Sequence, residues 1–163
     1  MKIQYVVLVI LLSFVVSCQQ AGINAQDEER TRRVLEIWNT GNLELVDKVF
    51  SPDFVFHRVD MYEDIVGTDA FKEYMISLRT TYPDFNVTFD EQIKSGDTFA
   101  DRWTVTATNT GPGDFPPTGK KVKVSGASIV KVAEGKIVEE WLYFNQAAML
   151  TQLGFTISPP AVE

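Results

Sequence analysis

Gly135-Lys136-Ile137-Val138-Glu139-Glu140-Trp141, followed by Asn145 and then by Gln152-Leu153-Gly154, reads as a turn, a strand and a short closing helix ended by glycine. Strand alternation puts Ile137, Glu139, Trp141, Tyr143 and Asn145 on one face and Val138, Glu140, Leu142 and Phe144 on the other. Both sets are largely apolar, so the strand is expected to be covered on each side. One side would face a pocket and the other a dimer interface or a helix. Glu139 and Glu140 then point in opposite directions and cannot act as a catalytic carboxylate pair.

Working back from this strand, residues 85–94, 98–110 and 121–133 are rich in Val, Thr, Phe and Trp. They are separated by Ser95-Gly96-Asp97, a Gly/Pro loop at 111–119, and Glu134-Gly135. Helical spacing dominates earlier. Val34, Leu35, Ile37 and Trp38 follow an acidic first turn in 27–40, and Gly41 stops that run. A short helix over 43–50 halts at Ser51-Pro52. An extended piece at 53–59 comes next, and then a third helix with Thr68 placed to cap it, ending near Tyr82-Pro83. Helices followed by consecutive hairpins predict an α+β domain over 27–156, with a curved antiparallel sheet wrapped around N-terminal helices and a C-terminal tail at 157–163.

The N-terminus carries a different message. Lys2 is the only charge before Asp27, and Tyr5 to Val16 is apolar apart from one serine. A stretch of this length suits the hydrophobic region of a signal peptide and is short for a spanning helix, which needs roughly 20 residues. Val15-Val16-Ser17-Cys18 resembles a bacterial lipobox, and Cys18 is the only cysteine in the chain. The expectation is a lipoprotein signal over 1–17, lipidation at Cys18, and a polar tether over 18–26. The protein would then be held on a membrane of the bacterial cell envelope, with Gln19 suggesting the outer membrane where the host has one. An ordinary secretory signal cleaved after Ala25 is the alternative.

Formal net charge is −7, and becomes more negative once Lys2 leaves with the signal, so nucleic acid and anionic lipid headgroups are poor partners. One histidine, one cysteine and no carboxylate cluster at ligand spacing argue against a metal centre, and no cofactor is called for. Thr118-Gly119-Lys120-Lys121 lacks the first glycine and the Ser/Thr of a phosphate loop, because Asp114 and Lys121 stand at those places. It reads as a hairpin loop at a pocket rim.

Together with Phe115-Pro116-Pro117-Thr118-Gly119-Lys120 and Ser95-Gly96-Asp97, the C-terminal stretch resembles the SnoaL-like polyketide cyclases and ester-cyclase-like proteins of the nuclear-transport-factor-2-like superfamily, over about residues 28–154. The resemblance implies a cone with a pocket at its open end and the Trp141 face turned into that pocket. Relatives carry an acid/base aspartate four residues after this tryptophan, where Asn145 stands here. Many also have Gly-Thr-His where Ala107-Thr108-Asn109 occurs. An asparagine amide does not titrate near neutral pH and can only donate or accept hydrogen bonds.

By this resemblance His57 is a pocket residue, either a ligand contact or a base oriented by Asp60 or Glu139; the other reading is a strand-end histidine hydrogen-bonded to backbone or exposed beside Arg58. Trp103, Trp141 and Tyr143 would frame a ligand, with Asn109 and Asn145 as hydrogen-bonding anchors, although core packing accounts for the tryptophans equally well. Arg102 would pair with Glu139 or Asp60 inside the cone, or face solvent. A homodimer through the exposed sheet face is common among relatives. Two functions follow. The favoured one is a binding module that holds a small apolar molecule at the envelope. The other is a cyclase or isomerase using His57 and Glu139 as acid and base on a small carbonyl compound.

Overall fold

The computed structural model describes residues 22–156 and 158. The signal, Cys18 and the tether as far as residue 21 lie outside the described residues, as does the C-terminal tail at 157–163 apart from residue 158. The chain runs α1 (Ala25–Thr40), a 3₁₀ turn (Leu43–Leu45), α2 (Val46–Val49), β1 (Phe50–Arg58), β2 (Ile65–Val66), α3 (Thr68–Thr81), β3 (Asn86–Ser95), β4 (Thr98–Thr108), β5 (Lys121–Ala133), β6 (Lys136–Phe144) and α4 (Gln146–Leu153). The six strands form one curved sheet in the order β2-β1-β6-β5-β4-β3.

The helix ends are chemically explicit. Asn24 caps α1, accepting from the Gln26 and Asp27 amides while the Asp27 carboxylate accepts from the Asn24 amide. Gly41 closes α1 with φ 73°, and Gly154 closes α4 with φ 95°, both in the left-handed region that favours glycine. Thr68 is the first residue of α3 rather than its cap, a place taken by Gly67.

The sheet is mixed, which corrects the expectation of a purely antiparallel one. β1 pairs with β6 in parallel, with His57 opposite Trp141 and Arg58 opposite Leu142. The remaining pairs are antiparallel. This parallel junction inserts the early strand beside the last one, and α1 and α3 cover the resulting concave face. The core there is aromatic. Phe50, Phe54, Phe56 and Phe71 are fully buried, and Trp38 packs edge-on against Phe71 with ring centroids 5.8 Å apart. A second cluster, Tyr82, Ala107, Val122, Val124 and Leu153, closes the end of the domain where α4 meets β5.

One irregularity lies near the start of β6. Lys131 pairs with Glu139 and Val132 with Ile137, which leaves Val138 without a partner. Such a bulge inserts a residue and reverses the alternation beyond it. Ile137 therefore shares the concave side with Glu140, Leu142 and Phe144, whereas Glu139, Trp141 and Tyr143 lie on the outer side. From Glu139 onward the alternation is as read from the sequence, and the expectation that the Trp141 face lines the pocket is overturned because the opposite set, Glu140, Leu142 and Phe144, lines the cavity. β3 carries a similar break at Asp90, between the Phe89–Trp103 and Glu91–Arg102 pairs, and this brings both Phe89 and Gln92 to the concave side.

Candidate active site

Between the sheet and helices α1 and α3 lies a cavity of about 130 Å³, several times the space one water requires. Its wall is mostly apolar: Val34 and Trp38 come from α1, Leu78 from α3, Val105 from β4 and Phe144 from β6. Set into it are Glu140, Asp101, Ser128, Gln92, Arg30, Arg58 and Tyr74. A few polar groups converging on an apolar hollow are the usual composition of a small-molecule site.

Glu140 is the central group. Its side chain is buried among β4, β5 and β6, and burial pushes its carboxyl up to about 7, with the negative charge of Asp101 adding to the rise and the Ser128 hydroxyl opposing it. Ser128 in turn accepts a hydrogen bond from Trp103 Nε1 at 3.1 Å. Asp101 lies opposite Ser128 in the register of β4 and β5. Burial raises its carboxyl to about 6, against a hydrogen bond from Gln92 and the charge of Arg30. Gln92 Nε2 donates to Asp101 Oδ1 at 2.8 Å, and Thr31 on α1 donates to Gln92 Oε1 at 3.2 Å, so Asp101 is held from two elements. Two carboxyl groups with raised affinities for protons thus share one apolar cavity, which is where acid/base chemistry near neutral pH is found.

A second polar group sits on the β1 and α3 side. Arg58 donates to Asp60 through Nε at 2.9 Å and Nη2 at 2.5 Å, and through Nη1 to the Tyr74 hydroxyl at 2.7 Å. Its guanidinium also lies over the Tyr74 and Phe144 rings. Burial disfavours the charge, yet the neighbouring Tyr74 and Asp60 outweigh it and raise the Arg58 pKa. Tyr74 is pushed up by burial and by the nearby negative charges of Asp60 and Glu140, against Arg58. Asp60 therefore serves Arg58, while the His57 ring nitrogens meet Asp64 and Glu139 instead.

The residues expected from sequence divide sharply. Trp103 lines the cavity. His57 and Glu139 do meet, but on the outer face of the sheet: His57 Nε2 lies 3.1 Å from Glu139 Oε1, and Nδ1 lies 2.7 Å from Asp64 Oδ1. Trp141 stacks on His57 at 5.0 Å and 11°, and Lys131 joins both Glu139, at 2.9 Å, and the Trp141 ring. The Lys131 hydrogen bond is the main cause that lowers the Glu139 carboxyl. This network faces away from the cavity, as does the half-exposed Tyr143.

Neither expected amide anchor lines the cavity. Asn145 caps α4, accepting from the Ala148 amide at 2.9 Å. Asn109 is fully buried and pins the loop between β4 and β5, its Oδ1 accepting from the Thr118 amide at 2.7 Å. Arg102 pairs with Asp90 and Glu91 on the exposed side rather than with Glu139 or Asp60.

Sequence reasoning misses Glu140, Asp101, Ser128, Arg58 and Tyr74. A signal is present for Asp101 and Ser128, since each interrupts an otherwise apolar alternation: Phe99-x-Asp101-x-Trp103 and Val124-x-Gly126-x-Ser128-x-Val130. For Glu140 the alternation groups it with Leu142 and Phe144, and two faces of equal apolar character give no sign that this one turns to the cavity.

The fold has counterparts among solved structures. TsrD from Streptomyces laurentii superposes with TM-score 0.71 at 20% identity, covering 80% of this chain and 96% of that one. Wild-type IdmH from Streptomyces antibioticus gives TM-score 0.68 at 24% identity, covering 81% and 100%. A protein of ketosteroid isomerase-like fold from Catenulispora acidiphila gives TM-score 0.69 at 14% identity, covering 80% and 98%. These likenesses show the fold, a curved sheet covered by helices of the nuclear-transport-factor-2-like and ketosteroid isomerase-like kind. No curated protein matches the sequence. The family model for SnoaL-like polyketide cyclases matches residues 28–153, and the chain belongs to that family.

Proposed function

We propose that this protein is an acid/base enzyme acting on a small apolar carbonyl compound, with Glu140 as the group that removes and returns the proton. One observation carries the reading: a carboxyl buried in an apolar cavity and raised to about 7, so that it exchanges a proton near neutral pH. The chemistry fits the family. A carboxylate takes a proton from the carbon beside a carbonyl, the C–H electron pair forms the enolate, and that enolate either is reprotonated at another carbon or attacks a second carbonyl. In the latter case the protonated carboxyl returns the proton to the new alkoxide. Substrate and product are isomers and no co-reactant is consumed.

This reading inverts the preference for a passive binding module. Asn109 and Asn145, the anchors that module would use, are engaged in holding a loop and a helix. In place of the missing aspartate at position 145, just past the end of β6, the reading uses Glu140 within that strand. The test needs no knowledge of the natural substrate: a panel of apolar ketones and β-diketones is incubated in D₂O and α-deuteration followed by NMR. Wild type should accelerate exchange of at least one member and Glu140→Gln should return it to background. Equal exchange by both proteins would defeat the assignment.

Placement at the envelope through a lipid on Cys18 is proposed on the sequence features at 15–18 alone. Cys18→Ser should move the protein from the membrane fraction to the soluble fraction, and unchanged fractionation would count against a lipid anchor.

A further inference from the structure

The same cavity holds a second device, on the wall formed by β1 and α3. Arg58 has five N–H groups. Three are used, two on Asp60 and one on the Tyr74 hydroxyl, and two remain. Because the Tyr74 oxygen accepts from Arg58, its own hydrogen is available, and among the described residues it donates to no protein acceptor. Both side chains line the cavity together with Glu140. Asp60 neutralises the guanidinium locally, which lets a cation sit beside apolar rings without being stranded.

We propose that Tyr74, polarised by Arg58, is the oxyanion donor of this site, taking the oxygen of a carbonyl as it becomes an enolate while Glu140 takes the proton. The ligand class follows: a ketone or 1,3-dicarbonyl compound with an otherwise apolar body, whose oxygen meets Tyr74 and whose acidic carbon meets Glu140. The inference rests on the Glu140 assignment for its catalytic meaning, but its binding side can be measured separately. A hydroxyl donor whose oxygen already accepts from a guanidinium is a stronger donor, and fixed donors aimed at developing charge contribute more in a water-poor cavity than in bulk solvent. No step here needs an oxidant or a metal.

The experiment uses 4-nitrophenol, an enolate mimic whose absorbance distinguishes phenol from phenolate, with the purified full chain. Wild type should bind it as phenolate and lower its apparent pKa. Tyr74→Phe keeps the ring and loses the donor, and should weaken phenolate binding by about ten-fold or more, the usual effect of losing a hydrogen bond to a charged group. Glu140→Gln should tighten phenolate binding above pH 7, because it removes a nearby negative charge. Arg58→Lys is the second variant, and should also weaken binding while its thermal melt reports that the domain is folded. Binding as neutral phenol, equal affinity in Tyr74→Phe, or no binding at millimolar probe would each overturn the proposal. If phenolate binding depends on Tyr74 while Glu140→Gln retains α-deuteration, the oxyanion site stands and the base assignment falls. If Tyr74→Phe binds phenolate as wild type does while Glu140→Gln loses α-deuteration, the base assignment stands and the oxyanion site falls.

Discussion

The ring of Trp103 covers Gly126 on the neighbouring strand, so that a Cβ at position 126 would overlap Trp103 Cη2 and Cζ2 and the Tyr143 carbonyl oxygen. The glycine makes room for the indole, and the indole in turn reaches Ser128. Gly126→Ala should cost about 1–3 kcal/mol through overpacking. A denaturant melt checks the cost. Trp103 fluorescence should shift as the ring is displaced from Ser128, and a neutral effect on both would contradict the close approach.

Stability should fall as pH rises through the range set by Glu140. Its ordinary value is 4.5 and its folded value about 7, so the folded state holds a proton that the unfolded state has already released. The contribution is present below about pH 4.5, and is lost as pH climbs to about 7. The shift corresponds to on the order of 3 kcal/mol. Glu140→Gln should melt at higher temperature than wild type at pH 8 and differ little at pH 4.5.

Asp101 should tune Glu140 at a distance. Removing its charge with Asp101→Asn takes away one cause of the raised Glu140 carboxyl. The pH midpoint of α-deuteration is then expected to move down, with the maximal rate changed less. A profile that stays in place would mean that the two carboxyls are not in electrical contact.

Asp27 is the electrostatic hub at the base of α1. Burial alone would raise its carboxyl, but hydrogen bonds from Lys94 at 2.6 Å, the Asn24 amide at 3.0 Å and Arg30 at 2.8 Å bring it down to about 2. Its stabilisation is present above its ordinary value of 3.8 and is lost as pH falls toward 2. Asp27→Ala leaves Lys94 and Arg30 without their partner and removes half of a capping box, for an expected loss of about 3–5 kcal/mol. A urea titration at neutral pH measures it.

His57→Ala should leave α-deuteration intact, because the imidazole and its two carboxylate partners lie outside the cavity. The partly exposed network is expected to contribute about 0–1 kcal/mol. Loss of exchange in this variant would restore the histidine as a catalytic group.

Most of the element order is legible from residue pattern. The expected strands at 121–133 and 136–145 match β5 and β6 to within a residue, and Gly41 and Gly154 mark helix ends as their backbone freedom dictates. Two features are not legible. The parallel seam between β1 and β6 joins segments some eighty residues apart, and nothing in local alternation names a partner for residues 50–58. The facing of β6 fails for a different reason. Trp141 and Tyr143 are as apolar as Leu142 and Phe144, so burial preference does not choose between faces, and the extra residue at Val138 shifts the phase without a glycine or proline to announce it. That single shift puts Ile137 on the side of Glu140, where plain alternation would group it with Glu139.

The parallel seam also governs the order of events when the chain is made. Antiparallel hairpins from β3 to β6 pair strands that follow one another in the chain, but β1 has no neighbour on its inner edge until β6 has emerged. Phe50, Phe54 and Phe56 must therefore wait, unsheltered by their final strand, while the rest of the domain is synthesised. Contacts of such long sequence separation slow folding and prolong the exposure of sticky segments. No truncated N-terminal portion can therefore complete the sheet or close its core ahead of β6.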